Sequence, residues 1–208
     1  MNPLGVCTMS FKALFITGIV LFVLLSASIM GLLLLSGAAK KPAAIDALPV
    51  LYPLPPFSLT SDKNAPLRKV DMLGKVWIAD FIFTSCGGPC PEMTRSMARV
   101  AERLALYPEV RFVSVSVDPD TDTPDVLSAY GAKFGADPER WDFLTGALED
   151  IQTLAVEGFK IGSVEDPVIH STKFCLVDKA GQIRGYFTGT DEVEIDALVA
   201  AVHQLIKE

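Results

Sequence analysis

The chain opens with a long apolar block. No charged side chain occurs from Ala13 to Ala39, and about 20 apolar residues suffice to cross a bilayer core. The run predicts a transmembrane anchor over residues 13–39, behind a short N-terminal segment, 1–12. A cleavable signal would have a shorter apolar run of roughly 7–15 residues, although Ser36-Gly37-Ala38 supplies the small residues that cleavage uses. Residues 40–47 read as a linker. Prolines at 42, 49, 53, 55, 56 and 66 suit an extended tether that feeds a first edge strand around Phe57-Ser58-Leu59. The compact domain is expected over 48–208.

Within that domain the period alternates between strand and helix. Lys75 to Phe83 is an apolar run rich in β-branched and aromatic residues, broken only by Asp80, as expected of a buried strand. Pro91 suits a first helical turn, and Met93, Met97, Val100, Ala101 and Leu104 then recur at helical spacing to about Leu106. Val110 to Val117 reads as a second strand, Asp118 to Pro124 as a loop and Asp125 to Phe134 as a short helix. Trp141 to Leu144 is a short strand, Leu148 to Val156 a helix, and Phe159 to Pro167 a polar loop leading to His170. Thr172 to Val177 and Gln182 to Phe187 form a hairpin closed by Asp178-Lys-Ala-Gly181. Ile195, Leu198, Val199, Val202, Leu205 and Ile206 trace one face of a last helix. Strands alternating with helices and ending in hairpin plus helix predict an α/β, thioredoxin-like fold, a central mixed sheet flanked by helices.

Charge narrows the partners. Lys12, Lys40 and Lys41 are three of 18 basic residues, whereas all 25 acidic residues follow Pro42, leaving 15 basic against 25 acidic in the region beyond. Nucleic acid is excluded as an expected partner. Lys40 and Lys41 follow the apolar run and only Lys12 precedes it, so the positive-inside rule slightly favours a cytoplasmic domain. The chemistry of the cysteines argues for the opposite side, and a leader too short for a mitochondrial targeting segment favours a bacterial, periplasmic location.

Four cysteines fall at 7, 86, 90 and 175. Cys86 and Cys90 lie in Phe83-Thr-Ser-Cys-Gly-Gly-Pro-Cys-Pro91, at a strand-to-helix junction. There the unpaired N–H groups and the helix dipole favour thiolate, the form that attacks disulfides and binds metal. Three intervening residues leave a disulfide, a redox dithiol and a pair of soft metal ligands all open. Two thiolates with an imidazole would suit Cu(I), with zinc the rival. Of the two histidines, His203 falls off the apolar stripe and reads as solvated, while His170 stands at the mouth of a strand. Cys175, inside Phe174-Cys-Leu-Val177, reads as a buried inert thiol. Arg95, Arg99 and Arg103 share one helix face and read as a solvated stripe, with docking of an acidic partner as the other option. Asp118 to Asp122 is acid-rich, but its Pro119 and missing Gly argue against a calcium loop. Asp80, six residues before Cys86, matches in offset the buried Asp of thioredoxins. Its pKa is then expected above about 3.9, in reach of thiol protons.

Taken in order, Gly74-Lys75, Phe81-Ile-Phe-Thr-Ser-Cys86-Gly-Gly-Pro-Cys90-Pro91, Val115-Ser-Val-Asp118-Pro-Asp-Thr-Asp-Thr123-Pro124, His170-Ser-Thr, Leu176-Val-Asp and Gly181 resemble the SCO/SenC family of copper proteins over about residues 50–206. The resemblance implies one copper ion bound by Cys86, Cys90 and His170, and a membrane anchor with the domain outside the cytoplasm. It also implies a role in assembling the binuclear copper centre of cytochrome c oxidase, with that oxidase's copper-bearing subunit and other copper chaperones or thiol reductants as partners. Many members carry Asp before that histidine, where this chain has Ile169. The alternative is a membrane-tethered thiol:disulfide oxidoreductase acting on the acceptor's cysteines without delivering metal. His170 separates the two, since dithiol exchange does not require it. Nothing resembles a peroxidatic-cysteine loop.

Overall fold

The computed structural model describes residues 21–26, 48–162 and 171–208. The chain divides into two compact units, 1–44 and 45–208. In the first, residues 21–26 are helical, with Leu21, Phe22, Val23, Leu24 and Leu25 exposed. Among the described residues no helix is long and apolar enough to cross a membrane. The rest of the expected anchor and the linker 40–47 lie outside them.

The second unit is built on an eight-stranded mixed sheet in the order β1-β8-β7-β4-β5-β6-β2-β3. Its strands are β1 (Tyr52–Pro53), β2 (Ser58–Ser61), β3 (Pro66–Arg68), β4 (Trp77–Ile82), β5 (Arg111–Ser116), β6 (Trp141–Thr145), β7 (Lys173–Val177) and β8 (Gln182–Thr188). β4, β5 and β6 run parallel, as βαβ crossovers require; β7 lies antiparallel to β4. Every residue of β4 is buried, which accounts for its continuous apolar sequence. The helices are α1 (Lys69–Met72), α2 (Cys90–Arg103), α3 (Pro124–Lys133), α4 (Leu148–Thr153) and α5 (Glu192–Lys207), and α4 runs on into a π-helical turn, Leu154–Gly158. The fold class is the expected one, and the element boundaries lie within a few residues of those expected. β2 is not an edge strand as expected, because β3 pairs outside it.

Strand alternation splits the core between the two faces. Ile78 and Ile82 of β4 pack with Met93, Met97 and Val100 of α2, Leu127 of α3 and Leu198 and Val202 of α5. Trp77, Ala79 and Phe81 face Met72, Ile151, Leu154 and Phe159 on the other side. The arginine stripe is solvated and ion-paired: Arg95 with Glu92, Arg99 with Glu192 at 2.7 Å and Arg103 with Asp196 at 2.9 Å. The last two pairs join α2 to α5. His203 departs from expectation. Its ring lies 5.0 Å from that of Tyr107 and its Nε2 is buried without a hydrogen-bond partner, so the histidine is half-buried against the loop that follows α2.

Where β4 begins, Arg184 gathers the ends of the unit. It donates to Asp178 at 3.0 Å, to Glu208 at 2.8 Å and to the carbonyl oxygens of Leu48 and Pro49. Only 7% of its side chain is exposed. Gly181 closes the neighbouring turn with φ 72°, a left-handed conformation that glycine adopts without strain.

Candidate functional site

At the opposite end of β4, Cys86 and Cys90 sit on the turn that feeds α2. Both are free thiols, 9% and 5% exposed, while Ser85, Gly87, Gly88 and Pro89 around them are exposed. The turn closes through the Cys86 N–H, which donates to the Phe83 carbonyl at 3.2 Å. α2 begins at Cys90 behind Pro89 at its N-cap position, with no side-chain cap, and the Cys90 N–H acts on the Cys86 sulfur. The Gly88 N–H reaches Cys86 Sγ at 3.4 Å.

This arrangement makes the two thiols unequal. Burial pushes the Cys86 thiol up, but hydrogen bonds from the Cys90 thiol, the Cys90 amide and the Gly88 amide outweigh it, and the net pKa falls below the ordinary value. Burial raises Cys90 to about 12, reinforced by its hydrogen bond to Cys86 and opposed by the Phe83 amide. Cys86 is therefore the more acidic thiol of the pair, and Cys90 holds its proton more tightly.

Asp80 is fully buried, as expected, on the face of β4 that carries Ile78 and Ile82. Neither carboxyl oxygen has a hydrogen-bond partner. Burial raises its pKa to about 7, opposed by the side chain of Ser114, its register partner on β5, and by its own backbone N–H. Its negative charge in turn adds to the rise at Cys90, which places the carboxyl in electrostatic contact with the pair. Cys175 is fully buried and its thiol pushed well up by burial, in keeping with an inert core thiol.

His170 and Ile169 lie outside the described residues. Among those described, no group of three His, Cys, Asp or Glu is gathered to hold a metal. β7 pairs antiparallel to β4, so it starts at the cysteine end of the sheet, three residues after His170 in sequence.

One site residue escaped the sequence reading. Asp122, read there only as part of an acid-rich loop, is completely buried. It accepts hydrogen bonds from the Thr84 N–H at 3.0 Å, the Thr84 hydroxyl at 2.5 Å and the Ser116 hydroxyl at 2.5 Å. The usable signal was the Thr123-Pro124 helix start: Thr123 caps α3, which leaves the preceding acid free to turn inward.

The SCO1/SenC family model matches residues 52–207. The "SCO1 protein homolog" of Bacillus subtilis (strain 168) is 34% identical over 160 residues, 74% of this chain and 83% of that protein. The solved structure of BsSco, described with a disulfide switch and as a member of the Sco family of cytochrome c oxidase assembly proteins, has a TM-score of 0.69 at 33% identity, covering 76% of this chain and 96% of that one. Copper-bound ScoI of Arabidopsis thaliana shares the fold, with a TM-score of 0.62 at 24% identity, covering 73% of this chain and 98% of its own. A match that spans the sheet, both thiols and the buried carboxylates places this chain in the SCO1/SenC family.

Proposed function

We propose that this chain is a membrane-tethered copper-binding protein that serves assembly of the binuclear copper centre of cytochrome c oxidase. One copper ion is held by the Cys86 and Cys90 thiolates and the His170 imidazole. The observation that carries this reading is the pair of converging free thiols of unequal acidity at an uncapped helix start. Two soft sulfur donors fit Cu(I), and the shallow cover over Cys86 gives a cargo ion a way in and out. Binding releases the Cys90 proton, and Asp80, buried nearby and titrating near neutrality, is its proposed acceptor. His170 precedes a strand that begins at the cysteine end, which supports it as the third donor. The domain is placed outside the cytoplasm, on the periplasmic side of a bacterial inner membrane, where a copper acceptor and an oxidising milieu coincide.

Copper stoichiometry and affinity of the reduced chain, wild type against His170→Ala, test this. One ion per chain is expected, with clearly weaker binding in the variant. A change under about threefold, roughly 0.7 kcal/mol, refutes the ligand assignment.

The unequal thiols also favour a second reading, reduction of the acceptor's own disulfide. The Cys86 thiolate attacks one acceptor sulfur, giving a mixed disulfide and a thiolate that takes a proton. Cys90, deprotonated, then attacks Cys86 Sγ and releases the second acceptor thiol. The acceptor gains two electrons and this chain is left with a Cys86–Cys90 disulfide. Full disulfide-reducing activity in His170→Ala alongside lost copper binding separates the two activities.

A further inference from the structure

We infer that Asp122 is the positioning residue of the cysteine pair: it sets the place of the Phe83–Cys86 turn, and through that turn the relation of the two sulfurs. The inference rests on the dithiol reading of Cys86 and Cys90.

The turn touches both sulfurs. Its last residue is Cys86, and the amide of its first residue, Phe83, acts on the Cys90 thiol. The chain on the far side of Cys86 gives little guidance, because Gly87 and Gly88 are exposed and a Cβ at Gly87 would meet nothing within 4 Å. Glycine adds backbone freedom there, so the upstream half of the turn must carry the geometry. Thr84, second in the turn, is held at both its N–H and its hydroxyl by the two oxygens of Asp122.

The anchor for this clamp is rigid. Ser116, at the end of β5, donates to Asp122 Oδ2 and accepts the Asp118 N–H at 3.1 Å. The Asp122 N–H donates to the Asp118 carbonyl at 2.9 Å. The β4–β5 ladder already runs from Trp77 to Ile82 and needs no carboxylate to hold it. Among the described residues no Lys or Arg pairs with Asp122. A fully buried acid is unfavourable without compensation, and here two of its three compensating donors belong to the residue two places before Cys86. A metal site tolerates ligand displacements of only about 0.2 Å, and disulfide formation is comparably sensitive to sulfur placement.

The test uses the full reduced chain with three substitutions. Asp122→Ala removes the clamp. Asp122→Asn keeps all three contacts, its carboxamide oxygen accepting from the Thr84 N–H and Ser116 and its amide donating to a rotated Thr84 hydroxyl. Thr84→Val removes one donor alone. Two readouts are taken beside the unfolding midpoint: the equilibrium constant of the Cys86–Cys90 disulfide against glutathione, and Cu(I) affinity in competition with a chromophoric chelator. Asp122→Ala is expected to move both at least tenfold, about 30 mV in the two-electron potential, with Asn within threefold of wild type. If Ala does not fold, Thr84→Val must move the disulfide constant at least threefold. An Ala variant that loses stability but keeps both constants within threefold overturns the inference. So does an Asn variant that behaves as Ala, since charge and not position would then be at work. Wild type that binds no copper overturns the function proposed above, whereas the disulfide constant still judges Asp122.

Discussion

Replacing Asp80 with asparagine isolates the energetic consequence of a fully buried acid inside the sheet. The folded chain holds the Asp80 proton to about pH 7 because burial outweighs the hydrogen bonding that Ser114 and its own backbone offer the carboxylate; an unfolded chain releases it near 3.9. Below that lower value both states bind the proton and pH has no leverage. Between about 4 and 7 only the folded chain binds it, so stability falls as pH rises, by about 1.36 kcal/mol per pH unit. Above 7 both states are ionised and the loss is complete, on the order of 4 kcal/mol. Asparagine has nearly the same shape and no proton to lose. Urea unfolding of the reduced wild type and Asp80→Asn at intervals from pH 4 to 8.5 is the assay, because titrating groups that Asp80 does not influence cancel in the difference. The variant should gain on wild type steadily across the window and level off above it. A difference that stays flat within about 0.5 kcal/mol would refute the burial argument, and with it the proposed role of Asp80 as proton acceptor.

Two further outcomes follow from the thiols and the buried arginine. Iodoacetamide at pH 8 should label Cys86 well before Cys90, whose pKa stands at about 12, and leave the fully buried Cys175 unlabelled in the folded chain; equal rates at Cys86 and Cys90, followed by peptide mass mapping, would contradict the assigned acidities. Arg184→Met should lower unfolding free energy by about 3 kcal/mol, since it strands the buried Asp178 carboxylate, and a urea midpoint unchanged from wild type would count against that clasp.

The β4 run and its single acid were readable because a strand buried on both faces has no polar alternation to obscure it, and Asp80 stood out against that background. Cys86 and Cys90 were readable because strand, glycines and helix are contiguous in sequence. The pairing of β3 outside β2 was not, since three residues carry no usable period and the contact is set by tertiary pairing. His203 was misjudged for a related reason: helical phase says which way a side chain leaves its own helix, and nothing about Tyr107 arriving from elsewhere. Asp122 looked like its neighbours Asp118 and Asp120 because an acid in a turn reads as solvated unless its donors are known, and its donors lie at 84 and 116.

The Arg184 clasp has a consequence for how this domain can be handled. It brings Leu48, Pro49 and Glu208 to the end of the sheet where β4 begins, while the sulfurs lie beyond the end where β4 stops. Six strand residues at about 3.3 Å each put roughly 20 Å between them. The guanidinium and its carboxylates therefore hold the pole of the sheet farthest from the thiol turn. A probe attached near Glu208 would occupy that same remote pole, leaving the cysteine end of the sheet clear.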